Sequence, residues 1–203
     1  MKLYNSIGPN PQVVRMFIQE LGIDLESVEV DLMAGENRQQ DHLSRNPSGQ
    51  MPTLELDNGE FISEITVICD YLDEQHGYTD LIGKTPEDRA ETRMWTRRID
   101  LQIVEPLTNG FRFSEGHDFF KDRLRLIPQA ADDLKTLAQE RITWLDGQIE
   151  GKEFICGNRF SLADIMFYCF LNFGTTVGQP LNEDNKNVVN LYNKIHSRPS
   201  ASV

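Results

Sequence analysis

The stretch NPSGQMPTLELDNGEFISEITVICDYLDEQH, residues 46–76, predicts two short strands joined by a tight turn and followed by a helix. Asn58-Gly59 is a strong hairpin signal, because both residues tolerate the positive φ that such a turn requires. The apolar residues from Ile65 to Leu72 recur at helical spacing, which predicts a helix whose first turn lies near Glu64. The sequence therefore places a hairpin immediately before a helix.

Two points in this stretch offer unpaired polar groups to a ligand. Pro52 cannot donate to a sheet, so it either lies at an edge or follows a cis bond after Met51, which would turn the backbone of Met51 toward a ligand. An extended peptide would pair with that edge as an added strand. At the helix start, Glu64 suits an amino group, and the free N–H groups beside it suit a carboxylate. These features predict a site for a peptide-like ligand.

The residues before this stretch predict a strand, a helix, a second strand and a second helix. PNPQVVRMFIQELG has the pattern of a helix with Pro11 at its first position and Gly22 just past its end. The polar run ENRQQDHLSRN predicts a loose, exposed helix. With the hairpin and its helix, the order is βαβαββα and ends near His76. A parallel pair formed by the first two strands requires the first helix as its crossover.

The remainder of the chain carries helical patterns and no strand signal. Residues 78–86 predict a linker between a first domain at 1–77 and an all-α helical-bundle domain at 87–203. Within the second domain, Pro86 opens a long helix that runs toward Pro106. The fold class is therefore an α/β domain followed by an all-α domain.

The composition excludes several classes of function. The net charge of −12 over 203 residues, without a basic block, argues against nucleic-acid and anionic-membrane partners. No run approaches the roughly 20 apolar residues of a membrane span, and polar residues begin too early for a signal peptide, so a cytoplasmic location is expected. The three cysteines form neither a CxxC pair nor a metal-spaced cluster with the histidines, so no metal site is expected.

The strings NPSGQMPTL and SEITVICDYL resemble the NPxGxVPxL and ESxAIxxYL motifs of the glutathione transferases. GNRFSLADI similarly resembles the GxxxSxAD motif of their C-terminal domain, which implies a folding role for Ser161 and Asp164. These resemblances span most of the chain. They imply a thioredoxin-like N-terminal domain, glutathione as co-substrate and a homodimer.

The resemblance assigns glutathione-binding roles residue by residue. Met51 and Pro52 would pair with the cysteinyl part of glutathione, and Glu64 would hold the γ-glutamyl group. Ile65 stands where the family has serine, so it keeps the backbone N–H but loses the hydroxyl, and weaker carboxylate binding is expected. Arg38 and Gln50 would contact the glycyl end. Asp100 would reach the γ-glutamyl amine across a dimer interface.

The thiol chemistry depends on the loop SIGPN, residues 6–10. A free thiol has a pKa of about 8.5 and is therefore mostly protonated at neutral pH. Hydrogen-bond donors at a helix N-terminus stabilise the thiolate, which is the reactive form, and so increase the reaction rate. Asn10 is the first candidate for this role and Ser6 the second. Asn is also a preferred N-cap, which gives Asn10 a structural alternative. The loop resembles the Thr-Pro-Asn loop of nu-class members, and it contains neither the activating serine nor the beta-class cysteine at the Asn10 position.

These observations predict a glutathione transferase in which Asn10 and Ser6 hold the glutathione thiolate for attack on an electrophile. One alternative is a glutathione-dependent disulfide reductase that uses two glutathione molecules. Another alternative is a non-catalytic binding or scaffold protein with the same fold, which the loss of serine at Ile65 favours. The expected partners are a small-molecule electrophile or disulfide and a second copy of the chain.

Overall fold

The computed structural model describes residues 1–203, which divide into two compact units. The first unit comprises Met1–Arg89 together with Pro199–Val203, and the second comprises Ala90–Arg198. The predicted domain limits, 1–77 and 87–203, stay a prediction, since packing units need not coincide with domains. None of the helices combines the length and the apolar composition that crossing a bilayer requires.

The first unit is built on a four-stranded mixed sheet. Its elements, in chain order, are β1 (Lys2–Asn5), α1 (Pro9–Leu21), β2 (Glu26–Glu29), a 3₁₀ turn (Glu36–Arg38), α2 (Gln40–Arg45), β3 (Thr53–Glu55), β4 (Phe61–Ser63) and α3 (Ile65–Gln75). The sheet order is β2-β1-β3-β4, with β1 and β2 parallel and the other two pairs antiparallel. Helices α1 and α3 pack against each other. The predicted βαβαββα order and thioredoxin-like fold are therefore confirmed.

Helix α1 begins two residues earlier than predicted. Its first position is Pro9, so Pro11 stands third, and Gly8 is the N-cap with φ 106°. Proline suits the first turn because the N–H groups there have no intrahelical partner. The helix ends as predicted, at a left-handed Gly22 whose N–H bonds to carbonyls of the last turn.

The polar segment between β2 and β3 is less exposed than predicted. It forms the 3₁₀ turn and the short helix α2, but Asn37, His42 and Asn46 are buried within it. Buried polar groups require hydrogen-bond partners. One nitrogen of each side chain finds its partner in the backbone that precedes β3, whereas Asn37 Oδ1 and His42 Nδ1 have no partner in the chain.

The second unit is helical. Its helices are α4 (Pro86–Ile99), which begins in the first unit, α5 (Glu105–Arg112), α6 (His117–Phe120), α7 (Ala131–Gln148), α8 (Leu162–Thr176) and α9 (Lys186–His196). Eleven of the fifteen residues of α8 are buried, so this helix forms the centre of the unit. Ser161 and Asp164 form a capping box at its start, in agreement with the folding role that the sequence resemblance implies.

Pro106 does not end the long helix. A π-helical segment, Asp100–Val104, joins α4 to α5, and Pro106 lies buried in the first turn of α5. Proline has no N–H, and the local change to π-helical hydrogen bonding allows the helix to continue past the missing donor.

Candidate functional site

Three segments of the first unit meet at the same end of the sheet, which is called the sheet edge below. Tyr4 of β1 lies opposite Thr53 of β3, and Thr53 lies opposite Ser63 of β4. The residues that follow β1, precede β3 and follow β4 are therefore neighbours at one end of three adjacent strands. This register brings together the β1–α1 loop, the Met51–Pro52 segment and the start of α3.

Met51 presents unpaired main-chain groups at this edge. The Met51–Pro52 peptide bond is cis, and neither the N–H nor the C=O of Met51 bonds to another group of the chain. The Met51 side chain is 5% exposed and packs with Tyr4 and Val30. The side chain thus anchors the residue in the core, while the peptide groups remain able to pair with an extended ligand.

Three buried side chains hold the backbone just before Met51. Asn37 donates to the Gly49 carbonyl (Nδ2···O, 2.6 Å), and Asn46 donates to the Gln50 carbonyl (Nδ2···O, 2.9 Å). His42 also contacts the Gln50 carbonyl through Nε2, at 3.3 Å. These bonds fix two successive carbonyls and so orient the next residue. Sequence reasoning missed all three side chains, although Asn46 opens the string NPSG.

The start of α3 is a polar, exposed corner. Glu64 is its N-cap, with φ 71° and ψ 120°, and its side chain makes no capping hydrogen bond. The first intrahelical bond at this end runs from the Ile68 N–H to the Glu64 carbonyl, at 2.9 Å. The N–H groups from Ile65 to Val67 are therefore free for an anion. A positive φ at a non-glycine residue costs on the order of 1 kcal/mol or more and is characteristic of functional sites.

The hydroxyl of Ser6 is committed within the fold. Ser6 is 3% exposed, and its Oγ donates to the Val30 carbonyl at 2.6 Å. Arg15 of α1 donates to the Ser6 carbonyl and to the Asn5 side chain, each at 2.9 Å. The single hydroxyl proton of Ser6 therefore serves the loop itself.

Asn10 is the one residue of the first α1 turn whose backbone N–H is free. The interpretation of Asn10 as an N-cap is wrong, because Gly8 occupies that position and Asn10 lies two residues inside it. Pro9 and Pro11 have no N–H, and the Gln12 N–H bonds to the Gly8 carbonyl at 3.2 Å. Asn10 is partly exposed, and its side-chain amide has no partner in the chain. The turn thus offers a ligand the backbone N–H and the side-chain amide of Asn10.

Tyr4 is another hydroxyl-bearing residue of β1, but its surroundings give it a structural role. Its phenol donates to Glu55 (Oη···Oε2, 2.8 Å), and the Arg45 guanidinium lies 4.6 Å from its ring centroid. Burial, followed by the hydrogen bond to Glu55, raises the pKa of Tyr4 above its usual value. A phenol whose proton is engaged and held more tightly is a poor donor to a thiolate.

The remaining predicted binding residues differ in placement. Arg38 ends the 3₁₀ turn beside Gly49, and Gln50 is exposed next to Met51, so both belong to the same segment as the site. Asp100 belongs to the second unit, where it forms an ion pair with Arg97 at 3.5 Å. The structure therefore brings the candidates of the first unit together at one sheet edge. Asp100 belongs to the other unit.

Comparison with known proteins agrees with this architecture. Residues 1–74 match the family model of the glutathione S-transferase N-terminal domain, and residues 125–199 match that of the C-terminal domain. Glutathione S-transferase F10 of Arabidopsis thaliana is 30% identical over 189 residues, which cover 88% of this chain and 84% of that protein. The chain belongs to the glutathione transferase family.

A second relative and a solved structure are similar to this chain over nearly its whole length. Glutathione S-transferase 2 of Saccharomyces cerevisiae is 28% identical over 195 residues, which cover 95% of this chain and 84% of that protein. The crystal structure of Gtt2 from Saccharomyces cerevisiae has a TM-score of 0.93 at 27% identity, covering 100% of this chain and 99% of that one. These relationships support glutathione-dependent chemistry and leave the individual reaction to be proposed.

Proposed function

We propose that this protein is a glutathione transferase that binds glutathione at the common edge of β1, β3 and β4. The observation that carries the proposal is the convergence there of unpaired groups suited to each part of glutathione. The main chain of Met51 suits its peptide backbone, the free N–H groups at the start of α3 suit a carboxylate, and the exposed Glu64 carboxylate suits an amine.

Asn10 activates the thiol in this proposal. A thiol near pKa 8.5 is mostly protonated at neutral pH, so donors that favour the thiolate raise the reactive fraction. Asn10 supplies its backbone N–H and its side-chain amide, while the prolines on either side have no N–H of their own. Ser6 positions the loop through its bond to Val30 and does not contact sulfur.

The reaction is nucleophilic substitution by the thiolate at an electrophilic carbon. The thiol proton passes to solvent, the sulfur forms a C–S bond, and the leaving group departs with its electron pair. All three cysteines of the chain are buried and lie outside any disulfide, so the nucleophile is the sulfur of glutathione and not one of the protein. Arg38 and Gln50, beside Gly49 and Met51, contact the glycyl end.

The active form is proposed to be a cytoplasmic homodimer in which Asp100 contributes from the partner subunit. Met94 and Leu101, spaced at helical repeat along α4 and its extension, are 41% and 51% exposed. Such side chains suit burial against a second copy. Light scattering of the purified protein tests this point, and a monomer at working concentration would contradict it.

Calorimetric titration with glutathione, followed by assays with a chloronitrobenzene and with a small disulfide, tests the function. Saturable binding with faster conjugation than disulfide reduction is expected. The opposite ratio would identify a glutathione-dependent reductase, and no binding at millimolar glutathione would leave a scaffold protein.

Two variants separate binding from thiol activation. Asn10→Ala is expected to raise the pKa of bound glutathione by about one unit, equivalent to about 1.4 kcal/mol, and to slow conjugation at neutral pH about tenfold. The thiolate absorbance measured against pH checks this. Ser6→Ala is the matched control and should leave that pKa unchanged. An equal shift in both variants would contradict the role of Asn10.

Ile65→Ser tests the binding half of the site. It restores a hydroxyl at the first position of α3, where one added hydrogen bond to a carboxylate is worth about 1 kcal/mol. Glutathione affinity is therefore expected to rise about fivefold, while the pKa of the bound thiol stays constant. A fall in affinity would show that the carboxylate does not bind at this helix start.

A further inference from the structure

The second unit contains a cluster of cations around its two indole rings, which we name the cationic tryptophan cluster: Trp95, Arg98, Arg141, Trp144 and Lys152. The ring centroids of the two tryptophans are 6.1 Å apart. The Arg98 guanidinium lies 5.0 Å and the Lys152 Nζ 5.5 Å from the Trp95 centroid, and the Arg141 guanidinium lies 4.7 Å from the Trp144 centroid. Three positive charges thus converge on one small area.

None of these three cations forms an ion pair, which is notable in a chain with 32 acidic and 20 basic residues. Elsewhere in the second unit, Arg97 pairs with Asp100 and Lys121 with Asp118. The helical neighbours three and four residues from Arg98 are Met, Trp, Leu and Gln, and those of Arg141 are Leu, Ala, Trp and Leu. Neither the helical neighbours in sequence nor the contacts in the structure therefore provide a carboxylate partner for Arg98 and Arg141.

Stacking on the rings does not satisfy the hydrogen-bonding groups of Arg141. One of its terminal nitrogens donates to the Gln102 side chain and its Nε is buried, which leaves the other terminal nitrogen without a hydrogen-bond partner in the chain. A guanidinium offers several N–H donors in a plane, and ring stacking engages its face and leaves its edge. The unused edge is suited to a carboxylate.

The shape of this area favours an extended partner over a small ligand. The space between the two tryptophans, Arg98 and Leu145 admits no water molecule, so it encloses nothing. Next to it, Lys152 borders a cleft of about 120 Å³. Its apolar walls are Ile149, Phe154 and Leu191, and its other polar walls are Glu153, Asn187, Asn190 and Lys194. Lys194 in that cleft is already paired with Glu153, at 3.1 Å. A flat cationic area beside a small, partly apolar cleft fits a peptide that lays carboxylates on the one and inserts a side chain into the other.

We propose that the cationic tryptophan cluster is a docking surface for a carboxylate-rich segment of a partner protein. Carboxylates of that segment pair with Arg98, Arg141 and Lys152. Because the whole chain carries a charge of −12, an acidic segment is repelled by most of the surface, and its binding is confined to this area. The docking surface is independent of glutathione.

A capped hexaglutamate peptide is the probe, and tryptophan emission is the readout, since Trp95 and Trp144 are the only tryptophans of the chain. A saturable change in emission, confirmed by calorimetry, is expected at low salt and should weaken as salt is added. Capped hexaglutamine at the same ionic strength should give no change. The absence of saturable hexaglutamate binding would overturn the proposal, as would equal or tighter binding of citrate at matched carboxylate concentration, which would indicate a small-anion site.

Charge-matched variants locate the binding. The triple variant Arg98→Gln, Arg141→Gln and Lys152→Gln is expected to weaken hexaglutamate binding by about tenfold or more. The control triple variant Lys84→Gln, Lys121→Gln and Lys186→Gln removes the same charge elsewhere and should weaken binding less than about twofold. Equal losses in the two would refute a local site. Glutathione affinity should be unchanged in both.

A single variant keeps the test valid if the first triple variant does not fold. Lys152 is exposed in the loop after α7, so Lys152→Gln should leave the circular dichroism spectrum and the melting temperature unchanged. It is expected to weaken hexaglutamate binding about two- to threefold at low salt. Unchanged affinity would exclude Lys152 from the docking surface and contradict the proposal.

Discussion

Two helices of this protein begin beside an acidic residue, and the two beginnings differ in every other respect. At the start of α3, Glu64 is exposed, has φ 71° and makes no capping bond. At the start of α8, Asp164 is 0% exposed and accepts hydrogen bonds from the Ile155 N–H, the Ser161 N–H and the Ser161 hydroxyl, at 2.8 to 3.0 Å. The carboxylate oxygens of Glu64 remain able to bind a ligand, whereas those of Asp164 are all engaged in hydrogen bonds within the fold.

The comparison teaches that hydrogen-bond satisfaction separates a binding site from a structural motif better than residue type does. An acid near a helix N-terminus is favourable in either setting, because it complements the helix dipole. At α8 every oxygen of the carboxylate has a donor inside the protein. At α3 the acid, the adjacent N–H groups and the peptide groups of Met51 all remain unpaired within the chain.

The largest expected difference between the two sites is in stability. Asp164→Ala removes the acceptor of two buried backbone N–H groups, each of which costs about 1–3 kcal/mol when unsatisfied. The free energy of unfolding is therefore expected to fall by about 3–5 kcal/mol, measured by urea unfolding followed with circular dichroism. Glu64→Ala, the matched control, should change it by less than about 1 kcal/mol. Similar losses in both variants would erase the distinction between the two helix starts.

The pH dependence of stability gives the next effect in size. Burial raises the pKa of Asp164 to about 6 from the ordinary 3.8, against the opposing bonds from Ile155 and Ser161. The folded state thus holds this proton more tightly than the unfolded state, so the contribution of Asp164 is greatest below pH 4 and declines as the pH rises toward 6. The decline is about 3 kcal/mol, because each pKa unit is equivalent to about 1.4 kcal/mol.

Asp164→Asn isolates this dependence. The difference in unfolding free energy between the native chain and the variant is expected to shrink as the pH rises from 4 to 6.5, because the variant cannot titrate at this position. Urea unfolding at a series of pH values measures it. A difference that grows with pH would mean that the hydrogen bonds outweigh burial and that the folded carboxyl is more acidic than 3.8.

The same contrast explains what the sequence could and could not predict. The hairpin at Asn58-Gly59, the end of α1 at Gly22 and the capping box of Ser161 and Asp164 depend on neighbours within a few residues, so local patterns reveal them. The order of elements follows from these local signals. Glu64 was also identified from its local position, but its positive φ was not.

Contacts between distant residues could not be predicted in this way. The Ser6 hydroxyl bonds to Val30, which parallel strand pairing brings close from 24 residues away. Asn37 and His42 occupy a segment whose polar composition is typical of an exposed helix, yet both are buried against the backbone before Met51. Their burial is a consequence of where β3 begins. Periodicity contains no information on such tertiary partners.

The smallest expected effect concerns the backbone of Glu64, and it tests whether that position is kept for binding rather than for stability. Replacement by Gly relieves the cost of φ 71°, whereas Ala keeps that cost, and both remove the carboxylate. Glu64→Gly is therefore expected to be more stable than Glu64→Ala by about 1 kcal/mol in urea unfolding, while both lose glutathione affinity about tenfold or more in calorimetry. A glycine variant that gained stability and also kept its affinity would show that the carboxylate of Glu64 does not bind glutathione. If the two variants were equally stable, the conformation at the start of α3 would carry no strain, and the exposed acid alone would distinguish it from the start of α8.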